Sequence, residues 1–198
     1  MIERTAIQEL EKWKNSEYRK PLILRGARQV GKTTIVNNFG KSYDNYLYFN
    51  LEKTSHKETL EQEMPLDDKI NLMFAAVGKV RKNGKTLIFI DEIQNSPKTI
   101  ALLRYFYEEH PDLHIIAAGS LLENIVDVNA SFPVGRVQYM ALRPCSFREF
   151  AVAMGKQNFL QLLDNPLYSV PMHNELISLF NQYTIVGGMP EVVQRYSQ

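Results

Sequence analysis

Eight consecutive residues, Gly26, Ala27, Arg28, Gln29, Val30, Gly31, Lys32 and Thr33, carry the spacing G-x-x-x-x-G-K-[ST]. Each residue type has a physical job there. Gly26 and Gly31 permit backbone conformations closed to residues with a Cβ. Successive N–H groups can then turn inward and form an anion nest. A helix beginning near Lys32 would add the partial positive charge of its N-terminus. Lys32 offers a cation to β- and γ-phosphates, Thr33 offers a hydroxyl to Mg²⁺, and Thr34 extends the same binding stretch. In a chain of 198 residues the pattern arises by chance with a probability on the order of 1%, so chance explains it poorly.

A second cluster follows the apolar run Leu87–Ile90: the adjacent carboxylates Asp91 and Glu92. A buried parallel strand delivers its last residues to the carboxyl edge of the sheet, where ligands of open α/β folds bind. Asp91 is expected to hold Mg²⁺, and Glu92 to polarise an attacking water as general base. Two further residues each admit two readings. In ATPases with an extra strand between the loop strand and the acidic strand, a polar residue at the place of Ser120 touches the γ-phosphate or the water. Ser120-Leu-Leu-Glu123 is equally a capping box that accounts for both residues. Arg136 could act as an arginine finger toward its own or a neighbouring subunit, or sit in a surface ion pair.

These residues need a scaffold. Ile2, Ala6, Leu10 and Trp13 recur at helical spacing. Leu22–Leu24 reads as a first strand running into the glycine-containing loop, with a helix from Lys32 to about Asn38. Tyr46–Leu51 reads as a strand and Thr54–Glu63 as irregular polar chain. An apolar stripe over Leu66, Ile70, Met73, Val77 and Val80 predicts a helix ended by Asn83-Gly84. Thr86–Ile90 is a buried strand; Ser96-Pro97 opens a helix with proline at its first position; Leu113–Ala118 and Val137–Leu142 are two more strands. Apolar strands alternating with amphipathic helices imply a parallel sheet covered on both faces. After Pro144 the pattern becomes helical (Ser146–Met154, Phe159–Leu163, Glu175–Tyr183, Pro190–Tyr196). The expected domains are therefore an α/β core over 1–143 and a helical region over 144–198. Ser146-Phe-Arg-Glu149 reads as a second capping box.

Bulk properties narrow the class. The chain is 44% hydrophobic and 23% charged with a net charge of +1, so no global field draws it to nucleic acid or an anionic membrane. Lys79, Arg81, Lys82 and Lys85 form a local basic segment read mainly as a solvated turn. The charged N-terminus has no signal-peptide region, the apolar runs are too short to span a bilayer, and Cys145 stands alone, which points to the cytoplasm. His110 and His114 are four apart, but Pro111 breaks any helix between them.

Taken together, the segments resemble one family: the AAA-type ATPases of bacteria and archaea that carry an uncharacterised C-terminal domain. The resemblance runs from about Leu22 to Glu191. It rests on Leu24–Thr34, Phe89–Gln94, Ala118–Ser120, Gly135-Arg136, Arg143–Phe150 and Gly187–Glu191. Cys145 stands where that family has leucine. The resemblance implies a P-loop NTPase three-layer α/β/α sandwich, with five parallel strands in the order 5-1-4-3-2, and ATP as the nucleotide. It also implies a longer parent protein; Pro190 begins a helix only eight residues before the chain ends at Gln198. The expected function is ATP binding with Mg²⁺-dependent hydrolysis, coupled to an unknown protein partner or the chain's own C-terminal domain. The alternatives are a nucleotide-gated switch without turnover, a small-molecule kinase, and a DNA-associated ATPase.

Overall fold

In the computed structural model, residues 2–120, 133, 135–160, 163 and 170–198 are described. The chain divides into two units. One comprises Gln8–Ala27 and Lys32–Leu142; the other comprises Met1–Ile7, Arg28–Gly31 and Arg143–Gln198.

The first unit is a parallel five-stranded sheet with helices on both faces. Its strands are β1 (Leu22–Arg25), β2 (Asn45–Asn50), β3 (Thr86–Asp91), β4 (His114–Gly119) and β5 (Gln138–Ala141), in the order β2-β3-β4-β1-β5. This is the expected order 5-1-4-3-2 read from the other side. β3 and β4 are buried along their whole length, as near-continuous apolar runs require, while the edge strand β2 alternates. Alternation within β3 sends Ile88 and Ile90 to one face, where they join Ile70 and Met73 of α4 (Leu66–Ala76) and Ile100, Leu103 and Phe106 of α5 (Pro97–Glu109). Leu87 and Phe89 point the other way, to the face of α2 (Lys32–Gly40), which buries Ile35, Val36 and Phe39. α1 (Ala6–Lys14) buries Leu10 and Trp13. Ser96 caps α5 by accepting from the Thr99 amide at 3.1 Å, with Pro97 at the helix start.

Two expectations fail for identifiable reasons. Thr54–Glu61 is not irregular but a helix, α3. It buries only Leu60, so it has no apolar stripe to read. Its end is closed from elsewhere: Lys69 Nζ donates to the carbonyls of Leu60, at 2.9 Å, and Gln62. The helix α4 stops well before Asn83. The Gly78 amide donates to Ala75 O at 2.9 Å and the Lys79 amide to Phe74 O at 2.9 Å, the paired bonds of a Schellman ending. Val80 therefore leaves the stripe and is 86% exposed.

The second unit contains α6 (Phe147–Ala153), α7 (Val170–Val186) and α8 (Pro190–Tyr196). Cys145, Phe150, Ala151, Leu179 and Val193 form its small core, with Tyr183 packed against them. Two of the segments behind the family resemblance meet here. The Cys145 amide donates to Gly188 O at 2.6 Å, and Tyr183 Oη donates to Cys145 O at 2.9 Å. A Cβ on Gly188 would stand 2.3 Å from the Cys145 carbonyl, so only glycine allows this approach. Of the expected helix over Phe159–Leu163, Phe159 closes a short 3₁₀ turn, Gln157–Phe159, Leu160 and Leu163 are helical, and positions 161–162 lie outside the described residues.

Candidate functional site

The loop expected to hold phosphate leaves the carboxyl end of β1 and enters α2 at Lys32. Its strained positions differ from those expected. Gly31 has φ +91°, but the other left-handed residue is Gln29, at φ +63°, and Gly26 is not among the positive-φ residues. Gln29 carries no glycine signal, which is why its conformation escaped the sequence. Lys32 is 6% exposed, and its ammonium donates to Gly26 O at 2.8 Å and Ala27 O at 2.9 Å. The loop's own carbonyls thus hold the cation over the loop rather than letting it swing into solvent. Thr33 and Thr34 follow within the first turn of α2.

At the neighbouring strand end, Thr33 Oγ1 donates to Asp91 Oδ2 at 2.6 Å. Asp91 Oδ1 accepts from the Glu92 amide at 3.1 Å. Tyr48 Oη reaches Asp91 Oδ2 at 3.4 Å from β2. Asp91 is only 2% exposed. Burial pushes its carboxyl above the usual range, opposed by the bonds from Thr33 and Glu92. A buried carboxylate of this kind gains most from a cation. Mg²⁺ commonly takes one or two protein carboxylates and completes its octahedron with phosphate oxygens and water. Thr33 and Asp91 fit that demand by type and by closeness.

Glu92 sits directly after the strand in a left-handed conformation, φ +54° and ψ +42°. Such a conformation costs a non-glycine residue of order 1–3 kcal/mol and clusters at functional sites. It turns the chain abruptly into the 3₁₀ turn Ile93–Asn95, so Asp91 and Glu92 are not simply alternating strand residues. The Glu92 carboxylate accepts a hydrogen bond from Gln94 Nε2. Gln94 closes the segment Phe89–Gln94 that carries part of the family resemblance, but its spacing alone does not suggest a bond to Glu92.

Ser120 follows β4 at the same edge of the sheet. Its hydroxyl oxygen is buried and has no hydrogen-bond partner among the described residues. The capping box expected with Glu123 falls on positions 121–123, outside the described residues.

Arg136 is placed differently. Leu22 pairs with Gln138 and Arg25 with Ala141, both strands running parallel. Arg136 precedes β5, so it stands at the amino edge, while the loop starts at the carboxyl edge. Three strand steps, about 10 Å, separate the two edges along β1 alone. The Arg136 guanidinium instead donates to Glu108 Oε1 at 2.8 Å, and Arg104 Nε donates to the same oxygen at 3.0 Å. The structure therefore gathers Lys32, Thr33, Asp91, Glu92 and Ser120 at one edge and leaves Arg136 at the other.

The loop's middle residues, Arg28–Gly31, belong to the second unit, where they meet a side chain the sequence did not flag. Arg4 Nη1 donates to Val30 O at 3.0 Å. Arg4 is paired in turn with Glu149, whose place in the Ser146–Glu149 capping box was legible while its pairing with Arg4 was not.

Among the described residues, no helix is long and apolar enough to cross a membrane. Among curated proteins, none matches the chain. Solved structures do. The Walker-type ATPase paby2304 of Pyrococcus abyssi aligns over 98% of this chain at 17% identity with a TM-score of 0.56. The Drosophila ORC bound to DNA aligns over 97% at 16% identity with a TM-score of 0.60. The chain spans 66% and 58% of those two chains. At such identities the likeness speaks to fold alone. The sequence pattern of the AAA domain, however, matches residues 18–151, more than half the chain and all of the strands, loop and acidic pair described above. The chain belongs to the AAA domain family.

Proposed function

We propose that this chain binds ATP together with Mg²⁺ and hydrolyses it. Nucleotide binding follows from membership of the family. For metal-dependent hydrolysis, the observation that carries most weight is the Thr33–Asp91 hydrogen bond of 2.6 Å beside the left-handed Glu92. It brings a hydroxyl, a desolvated carboxylate and a candidate base to one strand end. In this reading the amides of residues 27–33 cradle the phosphates and Lys32 neutralises charge on them. Thr33 and Asp91 would hold the metal, which when bound would supply Lewis-acid stabilisation of phosphate charge. Glu92 takes the proton of the attacking water, and Ser120 senses the γ-phosphate. Phosphoryl transfer needs chiefly positioning and charge stabilisation, so these few groups suffice. A cytoplasmic location and a protein partner, or further chain beyond the helical region, accompany the proposal.

A second reading, a nucleotide-gated switch with negligible turnover, is favoured by one contact. Gln94 donates to the Glu92 carboxylate and so occupies the group that would act as base. Phosphate release from Mg·ATP, measured beside nucleotide binding for the wild type and for Glu92→Gln, separates the two. Binding retained with turnover reduced by about 10²–10⁴ supports hydrolysis with Glu92 as base. Binding without turnover in the wild type supports the switch.

A DNA-associated role has less behind it. Lys79 Nζ donates to Tyr46 O and Arg81 pairs with Asp112 at 3.7 Å, so the basic segment is partly engaged by the chain itself. Salt-sensitive DNA binding would revive that reading.

A further inference from the structure

An anion nest works only if its amides point inward, and something must hold them there. In a trans peptide the C=O of one residue and the N–H of the next lie in one plane and point in opposite directions. Fixing the Val30 carbonyl outward therefore fixes the Gly31 amide inward. Val30 is fully buried, so its carbonyl needs a partner within the protein. Arg4 Nη1 is that partner, at 3.0 Å.

Arg4 is itself anchored on its other donors. Its Nη2 donates to Arg143 O at 2.5 Å and its Nε to Glu149 Oε1 at 3.2 Å. The two side chains are 10% and 5% exposed. Glu149 Oε1 also accepts from the Thr5 amide at 2.8 Å and the Thr5 hydroxyl at 3.0 Å, while Oε2 accepts from the Ser146 amide at 2.8 Å. One carboxylate thus binds both Thr5 and the Ser146 backbone and orients the guanidinium. A Cβ on Gly31 would stand 3.7 Å from Arg4 Nη1 and 3.9 Å from Pro190 Cγ, which puts the guanidinium alongside the Val30–Gly31 peptide.

We propose that Arg4, oriented by Glu149, is a positioning residue for nucleotide phosphate: it sets the direction of the Gly31 amide and links phosphate binding to the packing of α6. The inference rests on reading Gly26–Thr33 as the phosphate site. Linkage makes it reciprocal, so bound nucleotide strengthens the Arg4–Glu149 arrangement by the factor that arrangement contributes to binding. A fork of separate donors is needed, because three acceptors lie in three directions.

The test compares wild type, Arg4→Gln, Arg4→Lys, Glu149→Gln, the double variant Arg4→Gln/Glu149→Gln and Lys32→Ala. Two quantities are read: the Kd for Mg·ATP, and the hydrogen-exchange rate of the Gly31 amide without nucleotide. Arg4→Gln is expected to raise the Kd by about tenfold or more and to speed exchange at Gly31 while β3 and β4 stay protected. Arg4→Lys should fall between the two, and the double variant should bind no worse than Arg4→Gln because the residues act as one unit. An unchanged Kd in a variant whose Gly31 exchange has risen would overturn the proposal. So would loss of affinity that tracks uniform exchange across the sheet, in Arg4→Lys as well as Arg4→Gln, since that is unfolding. Lys32→Ala separates this proposal from the reading beneath it. If Lys32→Ala abolishes binding and Arg4→Gln leaves it untouched, only the role of Arg4 falls. If ATP binds equally well to Lys32→Ala, the phosphate-site reading falls and takes this one with it.

Discussion

At the carboxyl edge of the sheet, two ionisable side chains are buried, each in polar contacts of its own; at the amino edge, a cluster of ion pairs meets solvent. Lys32 and Asp91 are nearly inaccessible and are bonded to loop carbonyls and to Thr33. Arg136 is 44% exposed and Arg104 53%, both reaching Glu108. Desolvating charges is costly, and folds tolerate it where the charges have work to do. Exposed ion pairs contribute little and imply little. The same residue types therefore carry different information depending on the strand end they occupy.

Breaking the buried side should have the largest effect. Lys32→Ala is expected to abolish measurable Mg·ATP binding in calorimetry, since no other side chain donates a cation to the same loop carbonyls in the described residues. Next, Glu92→Gln should keep affinity and lose about 10²–10⁴ of phosphate release; equal loss of both would mean Glu92 shapes the site rather than the water.

The amino edge offers a sharper control, because it also holds one buried ionisable group. His114 begins β4, bonds Tyr43 Oη through Nδ1 at 2.7 Å and meets the edges of Trp13 and Tyr43. Burial pulls its pKa down to about 3, aided by Arg19. The unfolded chain binds that proton near pH 6.5, so between these values unfolding takes up a proton. Stability from His114 is complete above about pH 6.5 and declines as pH falls toward 3, by up to about 1.4 kcal/mol per pH unit. In His114→Gln the urea midpoint should depend less steeply on pH in that window; an unchanged slope would mean that other groups set it. The smallest effect belongs to Arg136→Ala, which should leave ATP affinity and the denaturation midpoint unmoved. A fall in turnover that appears only at high protein concentration would reassign Arg136 to a neighbouring subunit's site.

Much of this arrangement was legible in the sequence, for reasons that differ by residue. The loop and the acidic pair announce themselves because glycine spacing and an apolar run into two acids each have a local mechanism. Buried strands read as strands because both faces demand apolar residues. The helix α3 was missed because what closes it, Lys69, lies outside its own sequence pattern. Gln29 was missed because its left-handed backbone is imposed by the loop and not by its side chain. Arg136 was assignable to an edge only through the register of β1 and β5. Arg4 and Glu149, 145 positions apart, form a pair that no local spacing could suggest.

The only cysteine of the chain adds one more consequence. Cys145 is fully buried, burial raises its thiol's pKa, and its backbone is tied to Gly188 and Tyr183. A thiol reagent can reach it only when that packing opens, and reactivity belongs to the thiolate. The labelling rate is therefore a built-in clock for opening of the helical unit, with one site, one exponential and no background from the sheet. Run with and without nucleotide, the same clock would time how long the helices stay shut.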